Sequence, residues 1–139
     1  KIGMPEAILN KPMALDDVEV EIMKQHPQRG WEMLRMIERL RGASDGVRDH
    51  HERWDGTGYP RALAGEDIPV IARIIAVADA FDSMTTTRSY RGARSIEEAV
   101  QELRECKGTQ FDPVIVSALL RVLERDGLAS PPKLHPVAA

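Results

Sequence analysis

A single cysteine, Cys106, in 139 residues excludes an internal disulfide and any zinc site built from several thiolates. It fits a reducing, cytoplasmic setting. No apolar run approaches the ~20 residues that a membrane-spanning helix needs, and no secretory signal is legible. Basic residues do not outnumber acidic ones. Nineteen Lys and Arg stand against 22 Asp and Glu, for a net charge of -3, so there is no broad basic surface for duplex nucleic acid. A small anionic ligand needs only a few local cations and stays within reach. No segment repeats, and no stretch alternates at the two-residue period of a strand.

Hydrophobic residues make up 42% of the chain, enough for one packed core. The pattern reads as all-α and as one domain over residues 1–129, followed by a loose proline-rich tail over 130–139. The first fifteen residues, with Pro5 and Pro12, are expected to be irregular apart from one turn around Glu6 to Leu9. Asp16 or Asp17 caps a short helix running to about Gln25, with Val18, Ile22 and Met23 inward. Pro27 suits the first turn of a second helix, which puts His26 near its N-cap. Trp31, Leu34, Ile37 and Leu40 recur along it, and Gly42 ends it. A third helix, Ala43 to Glu52, delivers a histidine pair. Pro69 opens an apolar helix whose expected buried stripe is Ile71, Ile74, Ile75, Ala78 and Phe81, with Asp79 beside it. Ser95-Ile96-Glu97-Glu98 is a capping-box pattern. Behind it Ile96, Ala99, Val100, Leu103 and Cys106 recur at helical spacing. Asp112-Pro113 starts a last helix, with Val114, Ile115, Ala118, Leu119, Val122 and Leu123 inward and Gly127 at its end.

The densest chemistry lies in His50-His51-Glu52-Arg53-Trp54-Asp55-Gly56-Thr57-Gly58-Tyr59-Pro60. Neighbouring helix positions point about 100° apart, so His50 and His51 address different sides of a cavity, which suits a site with more than one ion. The bland alternative is a polar helix end. His26 heads another helix, and Asp79 lies in an apolar one, where an ionised carboxylate is costly unless paired or metal-bound. Three imidazoles and a carboxylate suit Mn, Fe or Zn better than Ca or Mg. Asp55 is expected to order the glycine loop through its side chain. Glu52 reads as solvated or as an orienting neighbour of a ligand. Asp82 is expected to bond a nearby loop, Cys106 to fill the core, and His135 to be idle. Arg88 and Arg91, three apart, either face a phosphate or form a solvated helix end.

These motifs resemble the HD-GYP domain. The likeness is carried by His50 through Pro60, by the run from Ile68 through Ala78-Asp79-Ala80-Phe81-Asp82, and by Lys1-Ile2-Gly3-Met4-Pro5, His26-Pro27, Arg88-Ser89-Tyr90-Arg91 and Gly108-Thr109-Gln110-Phe111-Asp112-Pro113. It spans about Lys1 to Leu123. The resemblance implies the C-terminal portion of a helical HD-superfamily bundle. It implies a metal-dependent phosphodiesterase that hydrolyses cyclic di-GMP, or a related cyclic dinucleotide, to the linear dinucleotide or GMP. By position it implies His26, His50, His51 and Asp79 as ligands of two or three divalent transition metals, iron or manganese first. It assigns Lys1 and Asp79 to catalysis. Lys1, Tyr59, Arg88 and Arg91 would hold substrate, and Gly58-Tyr59-Pro60 would be the signature loop. The alternative it leaves is a catalytically incomplete module that binds nucleotide or a GGDEF-domain partner.

The family pattern is His-Asp-x-Gly-Lys, and this sequence starts at its lysine, so a longer parent polypeptide is expected to carry the His-Asp pair. These 139 residues alone are therefore expected to hold metal weakly and to turn over no cyclic dinucleotide. Robust hydrolysis by this polypeptide in added Mn(II) or Fe(II) would contradict that expectation.

Overall fold

Three side chains start helices as the sequence pattern requires, and from them the layout follows. A computed structural model describes residues 3–87 and 92–129. Among these the chain forms seven α-helices: α1 (Glu6–Leu9), α2 (Asp17–Met23), α3 (His26–Leu34), α4 (Arg41–Asp49), α5 (Val70–Thr85), α6 (Ile96–Glu105) and α7 (Pro113–Arg125). Short 3-10 turns lie at Glu38–Leu40 and Gly65–Asp67, and no strand occurs among the described residues. Asp16 and Ser95 each accept from the backbone N–H three residues on, while Glu19 and Glu98 reach back to the cap N–H, so both capping boxes are closed. Asp112 caps α7 through Val114 N at 2.7 Å. Its other oxygen accepts from Arg73 Nη1 at 2.8 Å. This buried, charge-assisted bond ties α7 to α5.

The core lies where α5, α6 and α7 meet. Val77, Met84, Ala99, Leu103, Phe111 and Val116 are buried together, with Phe81, Cys106, Ile115, Leu119 and Leu120 packed against them. The expected inward face of α6 is observed. The other helices differ from expectation in instructive ways. The second helix does not run to Gly42: α3 stops at Leu34, Ile37 is extended, and Gly42 lies inside α4. Apolar spacing continued across a break that it could not signal. The buried residues of α5 are Ala72, Val77 and Met84, whereas Ile71 and Ile74 are exposed and Ile75 and Phe81 half-buried. A helix apolar on every side gives periodicity little to choose a face by. Val18, Val114 and Val122 are exposed too, and Val116, missed, is fully buried.

Helices α3 and α4 pack antiparallel, as their paired positions show. Trp31 Nε1 donates to Asp45 Oδ1 at 3.0 Å. A Cβ on Gly30 would sit 3.0 Å from Val47 Cγ1, and the His26 ring meets the His50 ring. Gly46 lets α4 approach α5, since a Cβ there would run into the Ile71 side chain. The beginning of α3 and the end of α4 therefore meet beside α5. No helix among the described residues is long and apolar enough to cross a membrane.

Leu103 is fully buried in the core, so Leu103→Ala is expected to lower unfolding free energy by about 3 kcal/mol, read as a lowered denaturant midpoint with unchanged slope.

Candidate metal centre

Adjacent histidines within a helix diverge, yet here they converge. The reason is that α4 ends at Asp49. His50 is its C-cap and His51 lies in the following turn. The His50 and His51 ring centroids are 4.0 Å apart, and His26 meets them at 5.4 and 5.0 Å. Each ring offers one nitrogen such that all three lie within 4.8 Å of one another. The sequence expectation of separate sides is corrected by this turn.

The donor chemistry fits a divalent transition metal. His26 Nδ1 lies 2.7 Å from Met23 O, and His50 Nδ1 lies 2.6 Å from Val47 O. A carbonyl can only accept, so each neutral ring carries its proton on Nδ1 and keeps Nε2 unprotonated. Such backbone bonds fix the tautomer a metal ligand needs. His51 Nε2 lies 3.2 Å from His26 Nε2, within hydrogen-bonding distance.

Asp79 sits in the wall of a cavity of about 210 Å³ that is also lined by His50 and His51. Its carboxylate is outside the tight trio of ring nitrogens, and it is exposed. The argument that burial forces it to seek a partner is thereby corrected. Asp82 is exposed and accepts from Thr86 Oγ1 at 3.3 Å, one turn on, rather than from a separate loop. Lys1, Arg88, Arg91 and His135 lie outside the described residues.

The signature loop folds back over the trio. Tyr59 stacks on His51 with centroids 4.9 Å apart and planes 23° from parallel, and Tyr59 N donates to His51 O at 3.3 Å. Gly58 lies against backbone: a Cβ there would fall 2.5 Å from Glu52 Cα. No side chain fits, so glycine is required for close approach. Asp55 orders the loop as expected. It accepts from Thr57 N at 3.1 Å and pairs with Arg53 at 2.8 Å. Those bonds, Arg53 first, hold its carboxyl well below the usual range. Burial, and then the nearby Asp79 charge, push the Tyr59 hydroxyl up to about 12, so it remains a neutral phenol at neutral pH.

Two buried acids carry more of this site than sequence reasoning assigned to them. Glu52, 4% exposed, is not solvated. Its two oxygens accept from Arg61 N at 2.6 Å and Leu63 N at 3.0 Å, pinning the far side of the loop. Asp49 has no exposed surface and binds Arg48 Nε at 2.8 Å and Arg61 Nη1 at 3.2 Å. Sequence reasoning misses Asp49, which belongs to no apolar period, and reads Glu52 as solvated or orienting a ligand rather than as the buried anchor of the loop; their position flanking the histidines was the available signal.

An all-helical fold with a trio of imidazoles at a helix junction defines a class of metal-site domain. The chain belongs to the HD domain family, whose match covers residues 1–115. It is 41% identical to a cyclic di-GMP phosphodiesterase of Vibrio cholerae over 90% of this chain and 27% of that protein. With a cyclic di-GMP phosphodiesterase of Thermotoga maritima it shares 42% identity over 88% of this chain and 34% of the other. A 3′3′-cGAMP-specific phosphodiesterase 2 of Vibrio cholerae matches at 42% over 86% of this chain and 23% of its own length. The chain thus spans about a quarter of the first relative's length and about a third of the second's. A crystal structure of cyclic GMP-AMP specific phosphodiesterases in Vibrio cholerae superposes with TM-score 0.65 at 24% identity, covering 89% of this chain and 33% of that one. It shares the fold.

Glu52→Gln turns one acceptor into a donor that faces a backbone N–H. The Arg61 and Leu63 amides are expected to exchange hydrogen about tenfold faster or more, since an unmet buried donor costs about 1–3 kcal/mol. Hydrogen-exchange mass spectrometry over residues 58–64 reads this directly, and unchanged protection would show that Glu52 does not pin the loop.

Proposed function

We propose that this domain is the catalytic part of a metal-dependent phosphodiesterase that hydrolyses a cyclic dinucleotide, cyclic di-GMP or a close relative of it. The observation that carries the reading is the trio His26, His50 and His51, whose ring nitrogens lie within 4.8 Å of one another in a family whose curated relatives carry those activities in their names.

His26, His50 and His51 would hold the ions, iron or manganese, with Asp79 contributing from the cavity wall. When bound, such ions lower the pKa of a water toward neutrality and offset charge on the attacked phosphate. The chain's own residues do the rest. The Nδ1 bonds to Met23 O and Val47 O hold two imidazoles in orientation. Stacked Tyr59 covers one face of His51 and, being neutral, adds no negative charge where an anion must enter. By their place in the motifs, Lys1 is assigned to a phosphate and Arg88 and Arg91 to the phosphates or guanine. The reaction adds water across a P–O bond. The phosphate gains the hydroxyl oxygen, and the departing 3′ oxygen takes a proton.

The full-length polypeptide carrying this domain, prepared without air, is expected to copurify with iron or manganese and to open cyclic di-GMP. His51→Ala is expected to lose metal and activity together, with rate falling at least a hundredfold, on the order of what loss of a metal-held nucleophile costs. Retained metal content and rate in that variant would sink the assignment. Nucleotide binding without hydrolysis by metal-loaded protein would turn the reading to a binding module.

A further inference from the structure

The cavity beside His50, His51 and Asp79 does not end there. Ala80, Ser83, Gln110 and Phe111 line it, and the same four line a second cavity, also of about 210 Å³. The two are one cleft along α5. From Ala76, which lines the first chamber, to Met84, which lines the second, the helix rises about 12 Å.

Ala80, Met84 and Phe111 give the second chamber an apolar side, Ser83 and Gln110 add polar groups, and Arg94 and Glu102 are its one charged pair. Arg94 Nη1 donates to Glu102 Oε2 at 3.0 Å, with both side chains about half exposed. Both line the chamber. Their backbones are held: Arg94 N donates to Met84 O at 2.8 Å, and Glu102 sits in α6. The Cys106 thiol lies 3.8 Å from the other Glu102 oxygen. Burial, and then the Glu102 charge, raise the pKa of that thiol, keeping it a donor. An exposed ion pair of this kind contributes little to stability, so exchanging it for ligand contacts costs little.

A carboxylate beside a guanidinium matches one base well. Guanine presents N1–H and N2–H₂ as donors and O6 and N7 as acceptors, whereas adenine presents an N1 acceptor and a single exocyclic donor group. Glu102 can accept from both guanine donors, and Arg94 can donate to O6 or N7. The same carboxylate faces the lone pair of adenine N1.

We infer that the second chamber is a guanine subsite, in which Glu102 and Arg94 read one base of a cyclic dinucleotide whose phosphate lies at the histidine trio. This rests on the phosphodiesterase reading above and assigns the choice of base to these two side chains.

The test compares kcat/KM for cyclic di-GMP and for cyclic di-AMP in the metal-loaded full-length protein. The wild-type protein is expected to favour cyclic di-GMP. Glu102→Gln is expected to lower that preference about tenfold, the size of one lost hydrogen bond to a charged group. Arg94→Gln is expected to lower it in the same direction, mainly through KM. Each ratio is taken within one preparation, so a smaller active fraction cancels. A ratio that moves in neither variant overturns the subsite. Wild-type protein that hydrolyses bis(p-nitrophenyl) phosphate but no cyclic dinucleotide overturns the reading beneath it instead.

Discussion

A carboxylate taken out of water must have its oxygens satisfied by hydrogen bonds or opposite charge, and two such groups bracket the histidine pair. Asp49 precedes it and Glu52 follows it. Both reach the same returning segment: Asp49 through the Arg61 guanidinium, Glu52 through the Arg61 and Leu63 amides. The end of α4 and the far side of the signature loop are thus locked together from either flank of His50 and His51. Between these anchors Gly58 presses on the Glu52 backbone and Tyr59 lies flat on His51. Two buried anions thus help to hold the segment on either side of the histidine pair in place.

The same economy applies to the helices. His26 belongs to the first turn of α3 and His50 to the end of α4, so the trio exists only because these helices run antiparallel and close. Gly46 supplies the approach of α4 to α5, while the Trp31–Asp45 bond fixes the register of α3 on α4. Beyond the loop, Trp54 N and Asp55 N donate to Gln110 O and Thr109 O. The histidine junction is thereby fastened to the turn before α7, and through Arg73–Asp112 to the core.

Local chemistry was legible in the sequence, and faces were not. Asp16, Ser95 and Asp112 cap helices because a short polar side chain beside unsatisfied N–H groups has one good use. The glycine loop and the three histidines were legible for the same reason, since few residue types do what they do. The inner face of α5 was not legible, because Ile71 and Ile74 are as apolar as Ala72 and Val77 and only packing decides among them. The break after Leu34 was also invisible, since no proline marks it. Asp49 and the burial of Glu52 were hidden because burial of an acid depends on partners distant in sequence, here Arg61 and the Leu63 amide. The convergence of His50 and His51 was hidden by where α4 stops.

Charge gives the cleft a directional logic. Among the described residues lining the chamber nearest the trio, Glu52 and Asp79 are acidic and Arg53 is the cation, and Arg53 is already committed to Asp55. An anion entering this chamber would face the exposed Asp79 with no uncommitted Lys or Arg among these lining residues. Coulomb repulsion there is felt at reduced dielectric and is not fully screened. Divalent cations held at the imidazoles, as proposed, would reverse that balance, since each outweighs a single carboxylate. On the proposed reading, occupancy of the metal centre and admission of an anionic ligand would be one coupled equilibrium, and a variant that loosens the trio would weaken both.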